Sequence, residues 1–106
     1  MDKRRRQRTA MTDFSFEAFD GINFYQGEIV DASGFGICMT DLPRNMQGET
    51  RKIKVTINGR GISFRMQVMP KWSSNKGCGK TLGAEILSPP IGWAEFIMNL
   101  ETVQKN

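Results

Sequence analysis

Hydrophobic and polar residues alternate along most of this chain, a pattern typical of β-strands with one buried face. Two alternating runs, residues 52–58 and 62–69, flank an Asn58-Gly59 pair, and this combination predicts a β-hairpin. Because turn residues separate the alternating runs, we predict an all-β domain of five or six short antiparallel strands, folded as a small barrel or sandwich. The other four predicted strands are residues 14–19, 23–31, 36–40 and 81–87.

The hydrophobic period changes from two to three or four residues near the C-terminus, which predicts an amphipathic helix. Its apolar stripe would pack on the barrel. Ser88 as the N-cap, followed by Pro89 at the first helical position, would start this helix. The apolar positions of the stripe are Trp93, Phe96, Ile97 and Leu100.

These patterns divide the 106 residues into three segments of a single domain. Residues 1–12 form a basic arm that we expect to be flexible, and residues 13–88 form the barrel. Residues 89–106 form the C-terminal helix, packed on the barrel.

The net charge of +4 belongs to the N-terminus. Residues 1–8 hold five of the 15 lysines and arginines and only one acid, whereas the rest of the chain has equal numbers of cations and acids. This distribution predicts one localised element that attracts anions. A protein that wraps DNA would spread basic charge more widely, so we expect no specific nucleic-acid partner.

The chain contains no histidine and two cysteines, Cys38 and Cys78. Without histidine, Ser-His-Asp and Cys-His catalysis are excluded, as are most zinc hydrolase sites. We therefore expect no enzymatic activity, no metal and no cofactor. Two cysteines outside any metal-binding motif suggest reduced thiols and a cytoplasmic protein. No apolar run approaches the roughly 18 residues of a membrane span, so we expect no membrane insertion.

Two short motifs carry candidate chemistry. Arg4 and Arg8 form Arg-x-x-x-Arg in the basic arm, and Asp31, Ser33 and Gly36 form Asp-x-Ser-x-x-Gly in the stretch DASGFG. The second motif has a purely structural explanation when it is taken alone. Aspartate and serine stabilise turns through their side chains, and glycine supplies the positive φ of a tight connection.

Taken in this order on this strand pattern, the two motifs resemble the PilZ domain, a family that binds the bacterial second messenger cyclic di-GMP. The resemblance covers most of the chain and implies a six-stranded antiparallel PilZ-type β-barrel with a C-terminal helix. Trp72 also resembles a residue that the family often has at this position. The resemblance assigns ligand binding to Arg4, Arg8, Asp31, Ser33 and Gly36, with Lys3, Arg5 and Gly34 as further candidates.

The chemistry of these residues suits a cyclic dinucleotide of guanine. The arginine fork can bind phosphate oxygens or guanine O6 and N7 in bidentate fashion. Asp31 offers acceptors for the guanine N1–H and N2–H₂ donors, and Ser33 offers a hydroxyl. Gly36 would let the ligand approach the backbone. The resemblance thus implies a receptor in which the ligand orders the arm and creates a surface for a downstream protein partner.

Two alternatives remain open from the sequence. One is a small β-barrel that binds single-stranded nucleic acid, and the other is a PilZ-like module that makes only protein contacts. The regulated process, the number of bound ligand molecules and the role of Arg6 also remain open.

Overall fold

The computed structural model describes residues 9–43, 51–76 and 79–105, with the side chains of Lys76 and residues 101–105 excepted. The predicted contacts of Lys3, Arg4, Arg5 and Arg8 lie outside these ranges. The described chain forms seven strands and one helix. The strands are β1 (Thr9–Ala10), β2 (Ser15–Phe19), β3 (Phe24–Ala32), β4 (Gly36–Pro43), β5 (Ile53–Gly59), β6 (Ile62–Lys76) and β7 (Gly79–Ile86), and the helix is α1 (Trp93–Lys105).

The strands form one antiparallel sheet in the order β1-β3-β2-β5-β6-β7-β4. Pairing of β3 with β4 closes strands β2 to β7 into a six-stranded barrel, as predicted. Strand β1 lies outside this ring and pairs with the end of β3, beyond the point where β2 has ended. The short β1 places the start of the described chain beside the turn between β3 and β4.

The alternating pattern explains why the barrel closes. The predicted inward residues of β2, β5 and β7 are buried, so each of these strands presents one apolar face to a common core. Helix α1 covers this core with the fully buried Trp93 and with Ile97 and Leu100. The rings of Phe14 and Phe64 contact Phe96 and join the barrel to the helix.

The β5–β6 hairpin is confirmed, although its turn lies two residues further along than the Asn-Gly pair. Gly59 pairs with Ile62, so Arg60 and Gly61 are the two turn residues. Both have positive φ, 51° and 77°, as a two-residue turn of the type that matches strand twist requires. Gly59 is the last residue of β5, and glycine is required there because a Cβ would collide with the Phe14 ring.

Two predicted boundaries are wrong. Strand β6 continues past Pro70 to Lys76, through residues 73–76 that composition assigns to a turn, because this half of the strand pairs with β7. The register shifts between Pro70 and Trp72, and such an irregularity accommodates a proline inside a sheet.

Helix α1 begins at Trp93, so Ser88 is not its N-cap. Pro90 disfavours a helical conformation at the residue before it, which explains why the segment beginning at Pro89 does not start a helix. Gly92, with a φ of 90°, then completes a turn whose Trp93 N–H donates to the Pro90 carbonyl.

Among the residues that the structure describes, no helix has both the length and the apolar content needed to cross a bilayer. Within the same residues, no three potential metal-binding side chains are grouped together.

Candidate functional site

The turn between β3 and β4 contains the Asp-x-Ser-x-x-Gly motif and is held by its own hydrogen bonds. The Ser33 N–H donates to the Gly36 carbonyl at 2.8 Å, and the Phe35 N–H donates to Ser33 Oγ at 3.3 Å. Ser33 is 2% exposed. Its hydroxyl therefore has a structural task as an acceptor within the turn, and its own O–H group is still available to donate.

Helix α1 also holds this turn in place, through a hydrogen bond from Trp93. The buried indole Nε1–H of Trp93 donates to the Ser33 carbonyl at 3.0 Å. Trp93 is 0% exposed, so the bond forms out of contact with water, where an unpaired carbonyl would be costly. The position of Ser33 is therefore fixed by the C-terminal helix as well as by its neighbours in the turn.

The two glycines of the turn have different environments. Gly36 lies in β4, is buried and pairs with Glu85, so the expectation that it supplies a positive φ is wrong. Apart from its two chain neighbours, no described residue has an atom within 4 Å of the place where a Cβ of Gly34 would be. Neither packing nor a positive φ requires glycine there, and its absent side chain leaves the top of the turn open to a ligand.

Asp31 lies within β3 and belongs to a row of side chains on the outer barrel surface. Its register partners are Ala10 on β1 and Cys38 on β4. Cys38 pairs in turn with Gly83, and Gly83 with Trp72. Residues paired in this way project from the same face of a sheet. The row therefore runs from the predicted aspartate to the exposed tryptophan.

Trp72 lies against the backbone of β7 at Gly83. A Cβ at Gly83 would collide with the Cε2 and Nε1 atoms of the indole. Glycine is thus required there by a close approach, which is a common reason for a glycine inside a strand. The Trp72 ring remains 53% exposed, so its outer surface can stack on an aromatic ligand.

An open depression of about 500 Å³ lies between the motif turn and Trp72. Phe35, which is 56% exposed, lines it on the side of the turn. Lys71 and Glu85 also line it and form an exposed ion pair with an N–O distance of 3.2 Å. The volume lies within the usual range for small-molecule sites, roughly 300–1,000 Å³.

Strand β1 pairs with the end of β3, where the Asp-x-Ser-x-x-Gly motif begins. Thr9 pairs with Ala32, and Ala10 pairs with Asp31. Arg8, the last residue of the Arg-x-x-x-Arg motif, directly precedes Thr9 in the sequence. The described part of the chain therefore begins opposite Ala32, the residue between Asp31 and Ser33. The structure brings Asp31, Ser33, Gly34 and Gly36 together with the start of β1.

The sequence analysis missed the contributions of Phe35, Lys71 and Glu85. Phe35 is a variable position of the motif, and Lys71 and Glu85 belong to strands distant in sequence. One signal was available, because Gly83 interrupts an alternating apolar run and an isolated glycine in a strand indicates a close approach.

Asp20, at the turn between β2 and β3, has a pKa that departs clearly from its usual value. It lies away from the depression. The N–H groups of Asn23 and Ile22 donate to Asp20 and lower its pKa, although burial acts in the opposite direction. Tyr25 donates to the same carboxylate, and burial is the main cause that raises the pKa of this tyrosine. These groups stabilise a turn.

A six-stranded antiparallel barrel with an added outer strand, a C-terminal helix and an open site beside the β3–β4 turn defines a class of small barrel domain. Comparison with solved structures shows that the chain has the PilZ fold, in agreement with the resemblance of its motifs. A scan against protein-family models finds no match, and a search of curated proteins finds none either.

Three solved structures illustrate the likeness. The Bacillus subtilis inhibitor of motility MotI (DgrA) has a TM-score of 0.79 and 9% identity, covering 100% of this chain and 55% of that one. The PilZ domain of Escherichia coli YcgR, solved with c-di-GMP, has a TM-score of 0.76 and 15% identity, covering 98% and 95%. Borreliella burgdorferi PlzA in complex with c-di-GMP has a TM-score of 0.74 and 15% identity, covering 98% and 55%. The chain thus spans about half the length of MotI and PlzA.

Proposed function

We propose that this domain is a non-catalytic receptor for cyclic di-GMP that binds the ligand between the motif turn and Trp72. The observation that carries the proposal is the pairing of β1 with β3. Strand β1 begins directly after Arg8 in the sequence and pairs Ala10 with Asp31, which supports a site to which both motifs contribute. The YcgR and PlzA structures, which share the fold, were solved with this ligand.

The proposed contacts follow from the chemistry of each group. Arg4 and Arg8 bind the phosphates or the Hoogsteen edge of a guanine through bidentate hydrogen bonds. Asp31 accepts from the guanine N1–H and N2–H₂ groups. The outer face of the Trp72 indole stacks on a base, and Gly34 lets the ligand approach the turn.

The proposed mechanism is electrostatic. The segment Asp2–Arg8 holds five cations, which repel one another until an anion neutralises them. The two phosphates of cyclic di-GMP supply that charge and hold the arm over the depression. The ordered arm and the bound nucleotide then form a surface for a downstream protein partner, with Lys3 and Arg5 available for a second ligand molecule.

Titration calorimetry with cyclic di-GMP tests this proposal on the wild type, Arg8→Ala and Asp31→Ala. Each substitution removes hydrogen bonds to a charged group, worth about 1.5–3 kcal/mol, so we expect affinity to fall roughly ten- to hundredfold. Arg65→Ala and Glu17→Ala are matched controls, because both side chains are exposed on the barrel wall away from the site. Both should bind as the wild type does.

Absence of heat and of any change in melting temperature for the wild type would refute the proposed function and leave the fold unaffected. Binding of unrelated oligonucleotides with a steep salt dependence would instead support the single-stranded nucleic-acid alternative.

A further inference from the structure

The turn between β2 and β3 projects apolar side chains into solvent. We call residues 20–24 the hairpin tip. Within it Ile22 is 70% exposed and Phe24 is 78% exposed. The Phe24 ring stacks on Phe19, with ring centroids 4.5 Å apart and an interplanar angle of 27°. Large apolar side chains grouped at one exposed point indicate an interaction site more strongly than scattered ones do.

Hydrogen bonds hold the hairpin tip in this shape. The Asp20 carboxylate accepts from the N–H groups of Ile22 and Asn23, each at 2.8 Å, and from the Tyr25 hydroxyl at 3.1 Å. The Asp20 N–H donates to the Asn23 carbonyl at 3.2 Å. Asp20 itself is 7% exposed. The turn is therefore fixed by a buried carboxylate, and Ile22 and Phe24 are held outward by that turn.

Three exposed cations lie beside the hairpin tip, and we call Arg51, Lys52 and Lys54 the basic rim. Lys54 is the register partner of Phe19, and the Arg51 guanidinium lies next to Gly21. Within the described part of the chain, no carboxylate oxygen lies within 4.0 Å of the ammonium nitrogen of Lys52 or of Lys54. The exposed acids Glu17 and Asp41 lie further along the barrel wall, beside Gln26.

From these features we propose that the hairpin tip docks the domain reversibly on the surface of an anionic lipid bilayer. Ile22 and Phe24 enter the boundary between headgroups and acyl chains, and the basic rim binds the lipid phosphates. A tip-first orientation keeps Glu17 and Asp41 away from the negative surface. No helix in the described part of the chain could cross a bilayer, so the proposal concerns interfacial contact alone.

A bilayer fits this surface better than a macromolecule does. The tip is convex, and a soft lipid surface accepts a projecting wedge without a matching groove. A single-stranded nucleic acid would need several stacking rings along a basic track, whereas one stacked pair, Phe19 and Phe24, is found here. Aliphatic Ile22 adds nothing to base stacking but contributes to burial in lipid.

This surface is separate from the proposed nucleotide site. Phe24 begins β3 and Ala32 ends it, so the two sites are roughly 26 Å apart at about 3.3 Å per residue. Substitutions at the tip should therefore leave the cyclic di-GMP affinity unchanged. The proposed nucleotide site and the proposed membrane contact can therefore be tested independently, and either can be refuted without affecting the other.

Co-sedimentation with vesicles of phosphatidylcholine, with and without phosphatidylglycerol, tests the inference on the full chain. We expect the wild type to bind the anionic vesicles and to be released by salt. The double variant Ile22→Ser, Phe24→Ser should lose at least about tenfold in partitioning. The variant Lys52→Glu, Lys54→Glu should lose a similar factor. Ile91→Ser is the matched control, because Ile91 is 100% exposed elsewhere, and it should bind as the wild type does.

Melting temperature establishes that each variant is folded, and Phe24→Trp provides a second measurement that keeps the tip intact. Its fluorescence should shift to shorter wavelength on anionic vesicles, relative to the signal of the wild type. The proposal is overturned if the wild type does not bind, or if the serine variant binds equally well. It is also overturned if Arg4→Ala, Arg8→Ala abolishes binding while the tip substitutions have no effect, because the arm would then be the anchor.

Discussion

At the scale of single residues, the pairing of Trp72 with Gly83 gives the candidate site its exposed aromatic surface. The indole lies on β7 only because position 83 has no Cβ. If a guanine stacks on this ring, Trp72→Ala should weaken cyclic di-GMP binding by about tenfold or more, since base stacking on an aromatic side chain contributes about 1–3 kcal/mol. Titration calorimetry would measure this loss.

Gly83→Ala is the companion variant for this prediction. The new methyl group would displace the indole, so affinity should fall although Trp72 is retained. Phe24→Ala, which removes an exposed ring far from the depression, is the control and should leave affinity unchanged. Full affinity in Trp72→Ala would show that the ligand does not stack on this residue.

Asp20 supports a second prediction at this scale, about pH. Backbone N–H donors lower its pKa in the folded protein below the usual aspartate value of 3.8. The ionised carboxylate is therefore favoured by folding, and its contribution to stability is complete above that value. The contribution is lost as the pH falls through the lowered pKa. We expect Asp20→Asn to destabilise the protein by about 1 kcal/mol at neutral pH and by less in strong acid.

Melting temperatures measured at neutral pH and in steps below pH 4 would check this expectation. Glu17→Gln is the matched control, because Glu17 is exposed. A difference between the wild type and Asp20→Asn that stays constant across the whole pH range would contradict the assignment.

At the scale of elements, helix α1 supports the motif turn through one buried hydrogen bond, from Trp93 to the Ser33 carbonyl. Trp93→Phe keeps an aromatic ring but leaves that carbonyl without its donor. We expect a loss of about 1–3 kcal/mol in the free energy of unfolding and a weaker affinity for cyclic di-GMP, because the turn is less firmly held. Chemical denaturation and calorimetry measure the two effects.

Asn99→Ala, at an exposed position of the same helix, is the control for this variant. If Trp93→Phe lost stability but bound the ligand with unchanged affinity, we would conclude that the helix stabilises the core and does not hold the motif turn for ligand binding.

The elements also show which parts of the fold were predictable. Alternation predicted the barrel strands correctly, because burial of one face imposes a period of two on β2, β5 and β7. Strand β1 has only two residues and therefore no period, so its pairing with β3 could not be predicted from the pattern. Residues 73–76 at the end of β6 are all polar, and their pairing with β7 overrides their turn-like composition.

The candidate site was predictable in part for the same reason. Asp31 and Ser33 are two residues apart in sequence, at the end of β3 and in the turn that follows it, so their motif was visible. The depression also needs Trp72, Lys71 and Glu85, which come from two other strands. Their proximity depends on barrel closure and on the register between β6 and β7, which single-residue patterns do not specify.

At the scale of the whole molecule, the account predicts two sites at opposite ends of β3. The proposed nucleotide site lies at one end, beside the motif turn and the start of β1, and the hairpin tip lies at the other. The ends are linked by a closed barrel, so we expect ligand binding to change the first end without reshaping the second.

The most direct test of the central claim is a nuclear magnetic resonance titration of the full chain with cyclic di-GMP. The account predicts shifted amide signals for Asp31 to Gly36 and Gly83 and a shifted indole signal for Trp72. The amides of Arg60 and Gly61, in the distant β5–β6 turn, should remain in place. Unchanged spectra, or changes centred on the β5–β6 turn, would contradict the claim that the depression beside Asp31 is the nucleotide site.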